Sequence, residues 1–287
     1  MKQIKIFIEL TRLNKPIGFM LLFWPCLWGL TLGHHFVQEQ ILYIQYILLF
    51  FLGSVLMRSA GCIFNDIVDR DLDKKVKRTK KRPIASGKIS VLHAFIYVIL
   101  LCLVAFTVLM QFNWLTKILG ISSMILAFTY PFMKRITYWP QLFLGLTFNW
   151  GIIMGWTSIT NNLSLEPFIL YLAAIFWTLG YDTIYGLQDI RDDEIIGVKS
   201  TSIKFKKNPK AFVGSCYCLC TLFILIVFFM IETNKYTLLL SAPFVGSLFY
   251  QTKMFKKNNP KSCLKMFKLN NMSGLLIFIF IFSFNIL

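Results

Sequence analysis

Nine stretches of this chain are long and apolar enough to cross a bilayer, and they constrain the fold more than any other feature. They fall at about 17–37, 41–63, 91–111, 114–133, 140–160, 164–186, 211–231, 236–252 and 269–287. A spanning helix needs about 20 mostly apolar residues, and a buried helix of a soluble protein rarely runs so far without a polar face. Within hydrocarbon the backbone must satisfy its own hydrogen bonds, which makes each such stretch a helix. The eighth is the weakest, because Ser241, Pro243 and Gly246 interrupt it. The first contains Trp24, Pro25 and Trp28 and precedes no small-residue cleavage pattern, unlike a removable signal peptide. The expected architecture is an all-α integral membrane protein. About nine transmembrane helices would surround a central cavity, in a single intramembrane domain over residues 1–287.

Charge supplies the topology. The 287 residues carry 30 Lys and Arg against 13 Asp and Glu, a formal net charge of +17. Nucleic acid or a membrane surface would each explain such an excess, and position decides between them. With the N-terminus in the cytoplasm, 27 of the 30 basic residues fall on the cytoplasmic side. They lie in the N-terminal tail, in Arg70–Lys88, at Lys134 and Arg135, in Arg191–Lys210 and in Lys253–Lys268. Lys117 and Lys235 fall on the opposite side and Arg58 within a span. This is the positive-inside pattern, and it places the bilayer, not nucleic acid, as the partner. The absence of an Arg- and Ser-rich leader favours a bacterial inner (plasma) membrane over a mitochondrial inner membrane.

The few acids are concentrated. Asp66, Asp69, Asp71 and Asp73 occupy the cytoplasmic end of the second span, and Asp182, Asp189, Asp192, Asp193 and Glu194 that of the sixth. The spacing is helical: Asn65, Asp69 and Asp73 recur at i, i+4 and i+8, and Asp182, Tyr185, Asp189 and Asp193 at i, i+3, i+7 and i+11. Carboxylates stacked on one helix face repel unless a cation neutralises them. Mg²⁺ does so with oxygen ligands that it shares with substrate phosphates. Two such helix ends facing each other would hold two ions around a diphosphate. Asp71, Asp192 and Glu194 lie off these faces and read equally well as solvated loop charges.

Arg58 lies inside a span, where an arginine costs ~2.5–3.5 kcal/mol and marks a functional site by default. It is two helical turns from Asn65 and about 10 Å deeper, and it either snorkels toward the cytoplasmic interface or binds an anion such as a substrate carboxylate. The basic run Val76–Ile84, with Arg78 and Arg82, and the pair Lys134 and Arg135 are placed to grip a diphosphate. Cys216, Cys218 and Cys220 alternate along an apolar helix with no nearby His, which is not a zinc pattern. No functional role is assigned to His34, His35 or His93.

At these clusters the chain resembles the intramembrane aromatic prenyltransferase superfamily, and within it most closely the 4-hydroxybenzoate branch that serves ubiquinone biosynthesis. The resemblance runs through Arg12-Leu13-Asn14-Lys15-Pro16-Ile17-Gly18, Leu22-Phe23-Trp24-Pro25 with Trp28, and Arg58 to Asp66. It continues through Val76-Lys77-Arg78-Thr79, Arg82-Pro83, Ser86-Gly87, Tyr130 to Arg135, Tyr181-Asp182-Thr183 with Tyr185, Asp189, Asp192-Asp193, and Gly197 to Thr201. The Asn-Asp-x-x-Asp-x-x-x-Asp motif marks the superfamily; the Lys-Pro-Ile-Gly opening and Tyr-Asp-Thr-x-Tyr are more particular to the branch. Asn14 departs from its usual Asp. The resemblance implies Mg²⁺-dependent transfer of a polyprenyl group from polyprenyl diphosphate to the carbon of 4-hydroxybenzoate ortho to its hydroxyl. It implies that Asn65, Asp69, Asp73, Asp189 and Asp193, with Asp66 counted beside them, bind two Mg²⁺ and the diphosphate. It further implies that Arg78 and Lys134 contact the diphosphate, with Arg82 alongside, and that Arg58 holds the carboxylate. Tyr185 is placed with the aromatic acceptor; no side-chain general base stands out, and Asp182 reads equally as a group that polarises the phenol or takes its proton and as a structural or metal-supporting residue. The alternatives are the same chemistry on another acceptor, such as 1,4-dihydroxy-2-naphthoate, homogentisate or haem, and a divalent-cation transporter. Both acidic clusters lie at one membrane face, with no cluster on the other, which argues against a transporter's through-route.

Overall fold

The computed structural model describes residues 2–76, 78–231 and 235–286. Lys77 of the basic run and Leu287, the end of the ninth expected stretch, lie outside them. The described residues form helices joined by short turns, with no strand among them.

A short surface helix, α1 (Lys2–Thr11), precedes the long helices α2 (Ile17–Val37) and α3 (Gln40–Val68) and the four-residue α4 (Arg70–Asp73). Then come α5 (Val91–Leu109), α6 (Trp114–Thr129), a 3₁₀ turn Tyr130–Phe132, α7 (Met133–Ile136), α8 (Pro140–Asn149), α9 (Gly151–Thr160) and α10 (Leu165–Gly186). The remainder is α11 (Ile190–Ile196), α12 (Thr201–Lys204), α13 (Pro209–Met230), α14 (Ala242–Met254) and α15 (Pro260–Phe282). Local chemistry sets the starts. Asn208 and Asn259 accept the N–H of Ala211 at 3.3 Å and of Ser262 at 3.1 Å, and each is followed by Pro at the first helical position. Ser90 and Asn113 cap α5 and α6 in the same way.

Eight helical segments among the described residues are long and apolar enough to cross a membrane, and their outward surface is apolar, with Ile41, Leu48, Leu103, Trp114, Ile125 and Ile279 exposed. That exterior belongs against lipid. Two expectations change. The stretch expected as the eighth span is not one of these eight. It is a 3₁₀ turn, Lys235–Ser241, followed by the 13-residue α14, because Pro243 has no N–H and starts a new helix. It still runs antiparallel to α13: Lys210 donates to the Lys253 carbonyl at 2.8 Å and the Tyr217 hydroxyl to Gln251 at 3.0 Å. The ninth stretch, expected from residue 269, begins nine residues earlier at Pro260. Lys261, Lys265 and Lys268 therefore ride on α15 and not in a loop.

The most enclosed helices, α2 and α10, form the core against α9, α13 and α15. The α2–α9 crossing depends on Gly29 and Gly155: a Cβ would lie 2.0 Å from the Ile152 carbonyl oxygen at the first and 2.2 Å from the Cys26 carbonyl oxygen at the second. Small residues of this kind let membrane helices approach backbone to backbone. By contrast α5 and α6 are mostly lipid-exposed and leave a large internal space between themselves, α2, α3 and α10.

Candidate active site

Both acidic motifs end their helices in the same way. Helix α3 stops at Val68 and Asp69, at φ −94° and ψ 3°, joins it to α4. Helix α10 stops at Gly186, and Asp189, at φ −111° and ψ 8°, precedes α11. Each central Asp thus occupies the sparsely populated bridge region where active-site residues often sit. The expectation of one continuous face across each motif is modified accordingly: Asp73 and Asp193 stand on separate short helices. The hydrogen bonds Asp73 N–H to Asp69 O at 2.8 Å and Asp193 N–H to Asp189 O at 2.9 Å keep each pair one turn apart.

Basic residues draw the two motifs to one end of the bundle. Arg78 donates to both oxygens of Asp189, from Nε at 2.9 Å and from Nη2 at 2.5 Å, and lies over the Tyr185 ring at 5.9 Å from its centroid. It thereby bridges the loop after the first motif to the second motif. Lys134 donates to Asp69 Oδ2. Arg135 stands 3.8 Å from Asp69 Oδ1 and donates to the Val68 carbonyl at 2.6 Å. Arg82 reaches Asp66 at 3.0 Å and Asp73 at 2.8 Å. Asp66 is fully buried, and its Oδ1 also accepts from Arg12 at 2.5 Å.

The carboxylates retain negative charge that these contacts do not use up. Asp69 Oδ1 is buried with no hydrogen-bond donor. Burial raises the Asp69 carboxyl above the ordinary range against the opposing pull of Lys134. Asp193 is pushed up to about 6, first by burial and then by the charge of Asp189 one turn away. Every donor the two motifs offer, Asn65 with Asp69, Asp73, Asp189 and Asp193, is a hard oxygen, the set that suits Mg²⁺. Among the described residues no three His, Cys, Asp or Glu side chains are gathered closely enough to hold an ion unaided. Lys134 and Arg78 occupy the carboxylates instead, and a cation with a diphosphate would supply partners to both sides.

Below this end lies a cavity of about 1680 Å³. Arg12, Lys15, Arg78 and Arg82 line it near the motifs, and Phe50, Phe106, Phe112 and Phe128 farther along. Arg58 lies within it, its guanidinium 5.3 Å from the Phe148 ring centroid and its buried Nε without a hydrogen-bond partner. Asp182 and Tyr130 share the cavity and lie within electrostatic reach of Arg58. The structure therefore brings Arg58, Asn65, Asp66, Arg78, Arg82, Asp182 and Tyr185 to the cavity wall. Asp69, Asp73, Lys134, Asp189 and Asp193 are not among the residues that line it. Arg12 and Tyr130 were not singled out from the sequence. Arg12 was counted with the topogenic charges, and its only signal was its place at the head of the Lys-Pro-Ile-Gly opening.

Comparison with known proteins follows the same lines. The sequence profile of the UbiA prenyltransferase family matches residues 22–278. The chain is 43% identical over 279 residues to the mitochondrial 4-hydroxybenzoate polyprenyltransferase of Bos taurus, covering 95% of this chain and 73% of that protein. It is 41% identical over 283 residues to the 4-hydroxybenzoate octaprenyltransferase of Vibrio atlanticus, covering 97% and 96%. The fold superimposes with a TM-score of 0.71, at 18% identity, on a UbiA homolog from Archaeoglobus fulgidus bound to GPP and Mg²⁺, covering 98% of this chain and 100% of that one.

Proposed function

The chain belongs to the UbiA prenyltransferase family, and from that premise we propose that it transfers a polyprenyl group from polyprenyl diphosphate to 4-hydroxybenzoate, at the ring carbon ortho to the hydroxyl, in ubiquinone biosynthesis. One observation carries the reading. Two acidic motifs more than a hundred residues apart meet through Arg78 and Asp189 at the rim of an apolar cavity that holds a partly unsatisfied guanidinium, Arg58. A long hydrocarbon with an anionic head and a small aromatic carboxylate need that combination.

Asn65, Asp69, Asp73, Asp189 and Asp193 would hold Mg²⁺, which supplies charge neutralisation for a departing diphosphate. Arg78, Arg82 and Lys134 would transfer their contacts from carboxylates to diphosphate oxygens and stabilise the charge that develops there. The carbon–oxygen bond breaks with its electron pair going to the diphosphate. The aromatic walls keep water from the allylic cation that results. Arg58 holds the carboxylate of 4-hydroxybenzoate so that the ring lies toward the rim, with Tyr185 beside it. The ring attacks the cation from the carbon ortho to the hydroxyl and then loses that carbon's proton. Asp182, in the cavity near Arg58, is placed to orient the phenol or take the proton. The motif end faces the cytoplasm by the distribution of basic residues. The host we propose is a bacterial plasma membrane, which fractionation tests, since relatives at 41% and 43% identity carry a bacterial and a mitochondrial name.

The test uses purified protein in detergent with Mg²⁺, a polyprenyl diphosphate and either 4-hydroxybenzoate or 1,4-dihydroxy-2-naphthoate. Prenylated 4-hydroxybenzoate is expected. Turnover of the naphthoate with none of the benzoate would replace the acceptor.

A further inference from the structure

Asp66 sits inside the first motif, yet its surroundings differ from those of every other carboxylate there. Asn65 and Asp69 lie one turn apart on one side of α3. Asp66 lies 100° around α3 from Asn65, and both line the cavity. Its side chain is 2% accessible, and the single oxygen Oδ1 accepts from Arg12 Nη2 at 2.5 Å and from Arg82 Nη1 at 3.0 Å. Two guanidiniums on one carboxylate oxygen leave that oxygen no room for a cation. The same Arg82 nitrogen continues to Asp73 Oδ2 at 2.8 Å. The result is a chain of ion pairs, Arg12–Asp66–Arg82–Asp73.

The two arginines come from separate segments that the fold pins in place. Arg12 follows α1 in the left-handed region, at φ 56°, a conformation rare for a residue other than glycine and sustained here by the Lys15 N–H bond to its carbonyl at 2.8 Å. Arg82 belongs to the loop between α4 and α5. Ile6 and Leu10 of α1, Ile84 of that loop, Ala60 and Ile63 of α3, and Ala94 of α5 pack into one small core beneath them. The backbone strain at Arg12 and this core share one outcome: both guanidiniums are held against Asp66 at the cavity rim. Each has five N–H donors in a fixed fork. Asp66 takes one nitrogen of each, and both arginines line the cavity.

We propose that Asp66 is a positioning residue for the diphosphate and not a metal ligand: it holds Arg12 and Arg82 at the rim as a paired clamp for the diphosphate oxygens. The inference rests on the prenyl-transfer reading and adds Arg12 to the groups that recognise the diphosphate. Buried Asp66 keeps two like charges side by side before the anion arrives, so that the clamp is preorganised.

The test separates metal binding from diphosphate binding. Mn²⁺ affinity is measured by electron paramagnetic resonance on Asp66→Asn and Asp69→Asn, and KM for each substrate on Asp66→Asn, Arg12→Lys and Arg82→Lys. Asp66→Asn is expected to keep wild-type Mn²⁺ affinity while Asp69→Asn loses it. In Asp66→Asn the KM for the prenyl diphosphate is expected to rise about tenfold or more, with the KM for 4-hydroxybenzoate unchanged. The lysine variants retain charge but lose the fork and should show the same split, which keeps the proposal testable if Asp66→Asn does not fold. Loss of Mn²⁺ affinity in Asp66→Asn equal to that of Asp69→Asn would make Asp66 a ligand and overturn the proposal. An equal rise in both KM values would reduce it to a structural residue. Wild-type protein that neither binds Mn²⁺ nor transfers a prenyl group would instead bring down the functional reading, and this inference with it.

Discussion

Replacing Arg58 by Ala isolates the acceptor-binding half of the proposal. The guanidinium lies in the cavity against Phe148, and its buried Nε has no hydrogen-bond partner. Truncation therefore breaks no hydrogen bond at that nitrogen. It removes an arginine that costs ~2.5–3.5 kcal/mol within a span and forfeits a cation–π contact of about 1–2 kcal/mol. The two terms nearly offset each other, so the thermal midpoint in detergent should stay within a few degrees or rise. The whole loss then falls on the ligand. A hydrogen bond to a charged group contributes about 1.5–3 kcal/mol, roughly 10- to 150-fold in the Kd of the carboxylate. Steady-state kinetics should show KM for 4-hydroxybenzoate rising by that factor, with KM for the prenyl diphosphate unchanged. Acceptors separate charge from shape: 4-hydroxybenzyl alcohol, which lacks the carboxylate, should lose little with the variant. Gly18→Val offers a milder version, because a Cβ at Gly18 would lie 2.9 Å from Arg58 Nε and displace the guanidinium. Equal losses with the acid and the alcohol, or a KM change below about threefold, would refute the assignment of Arg58 to the carboxylate.

Asp69→Ala and Asp189→Ala should each abolish turnover while the protein remains folded and inserted, as judged by its size-exclusion profile; near-normal rates would remove the two-motif metal site. Asp193, raised to about 6 from the ordinary value of about 3.9, stabilises the metal-free fold fully below about pH 4 and loses that contribution as pH rises through about 6. Adding Mg²⁺ should accordingly release more protons at pH 5.5 than at pH 8, and equal release at both would contradict the shift. Gly155→Ala forces a methyl to within 2.2 Å of the Cys26 carbonyl oxygen and should destabilise the fold by about 1–3 kcal/mol or more, read as a lower melting temperature in detergent with the KM values unaltered.

Some of this architecture was legible in the sequence for a simple reason. A bilayer leaves the backbone one local solution, so apolar length translates directly into helix. Ile17–Val37 emerges with the very bounds its apolar run suggests, and α10 within a residue. The misjudged elements are those where the helix and the membrane do not share an end. Helix α15 begins at Pro260 because Asn259 caps it, a signal independent of hydropathy, whereas a count of apolar residues starts only past Lys268. The 235–254 segment is divided where the sequence already marks an interruption, at Pro243, into a 3₁₀ turn and α14.

The candidate site divides along the same physical boundary. Which residues would carry chemistry was readable, because nine of the thirteen acids gather in two runs, and carboxylates gather only where something neutralises them. Which cation meets which acid was not. Arg12 and Asp66 are 54 positions apart, Lys134 and Asp69 65, and Arg78 and Asp189 111, and with 30 basic residues no spacing rule selects these pairs. The pairing also changes what the motif means. Four carboxylates of the two motifs, Asp69, Asp73, Asp189 and Asp193, are matched by side chains that a diphosphate could claim, or are left with charge to spare, while a single oxygen of Asp66 takes two arginines at once. Two neighbours in one acidic run, Asn65 and Asp66, differ by the 100° that separates adjacent residues on a helix; on the proposed reading that angle would turn one toward a metal and leave the other against Arg12 and Arg82.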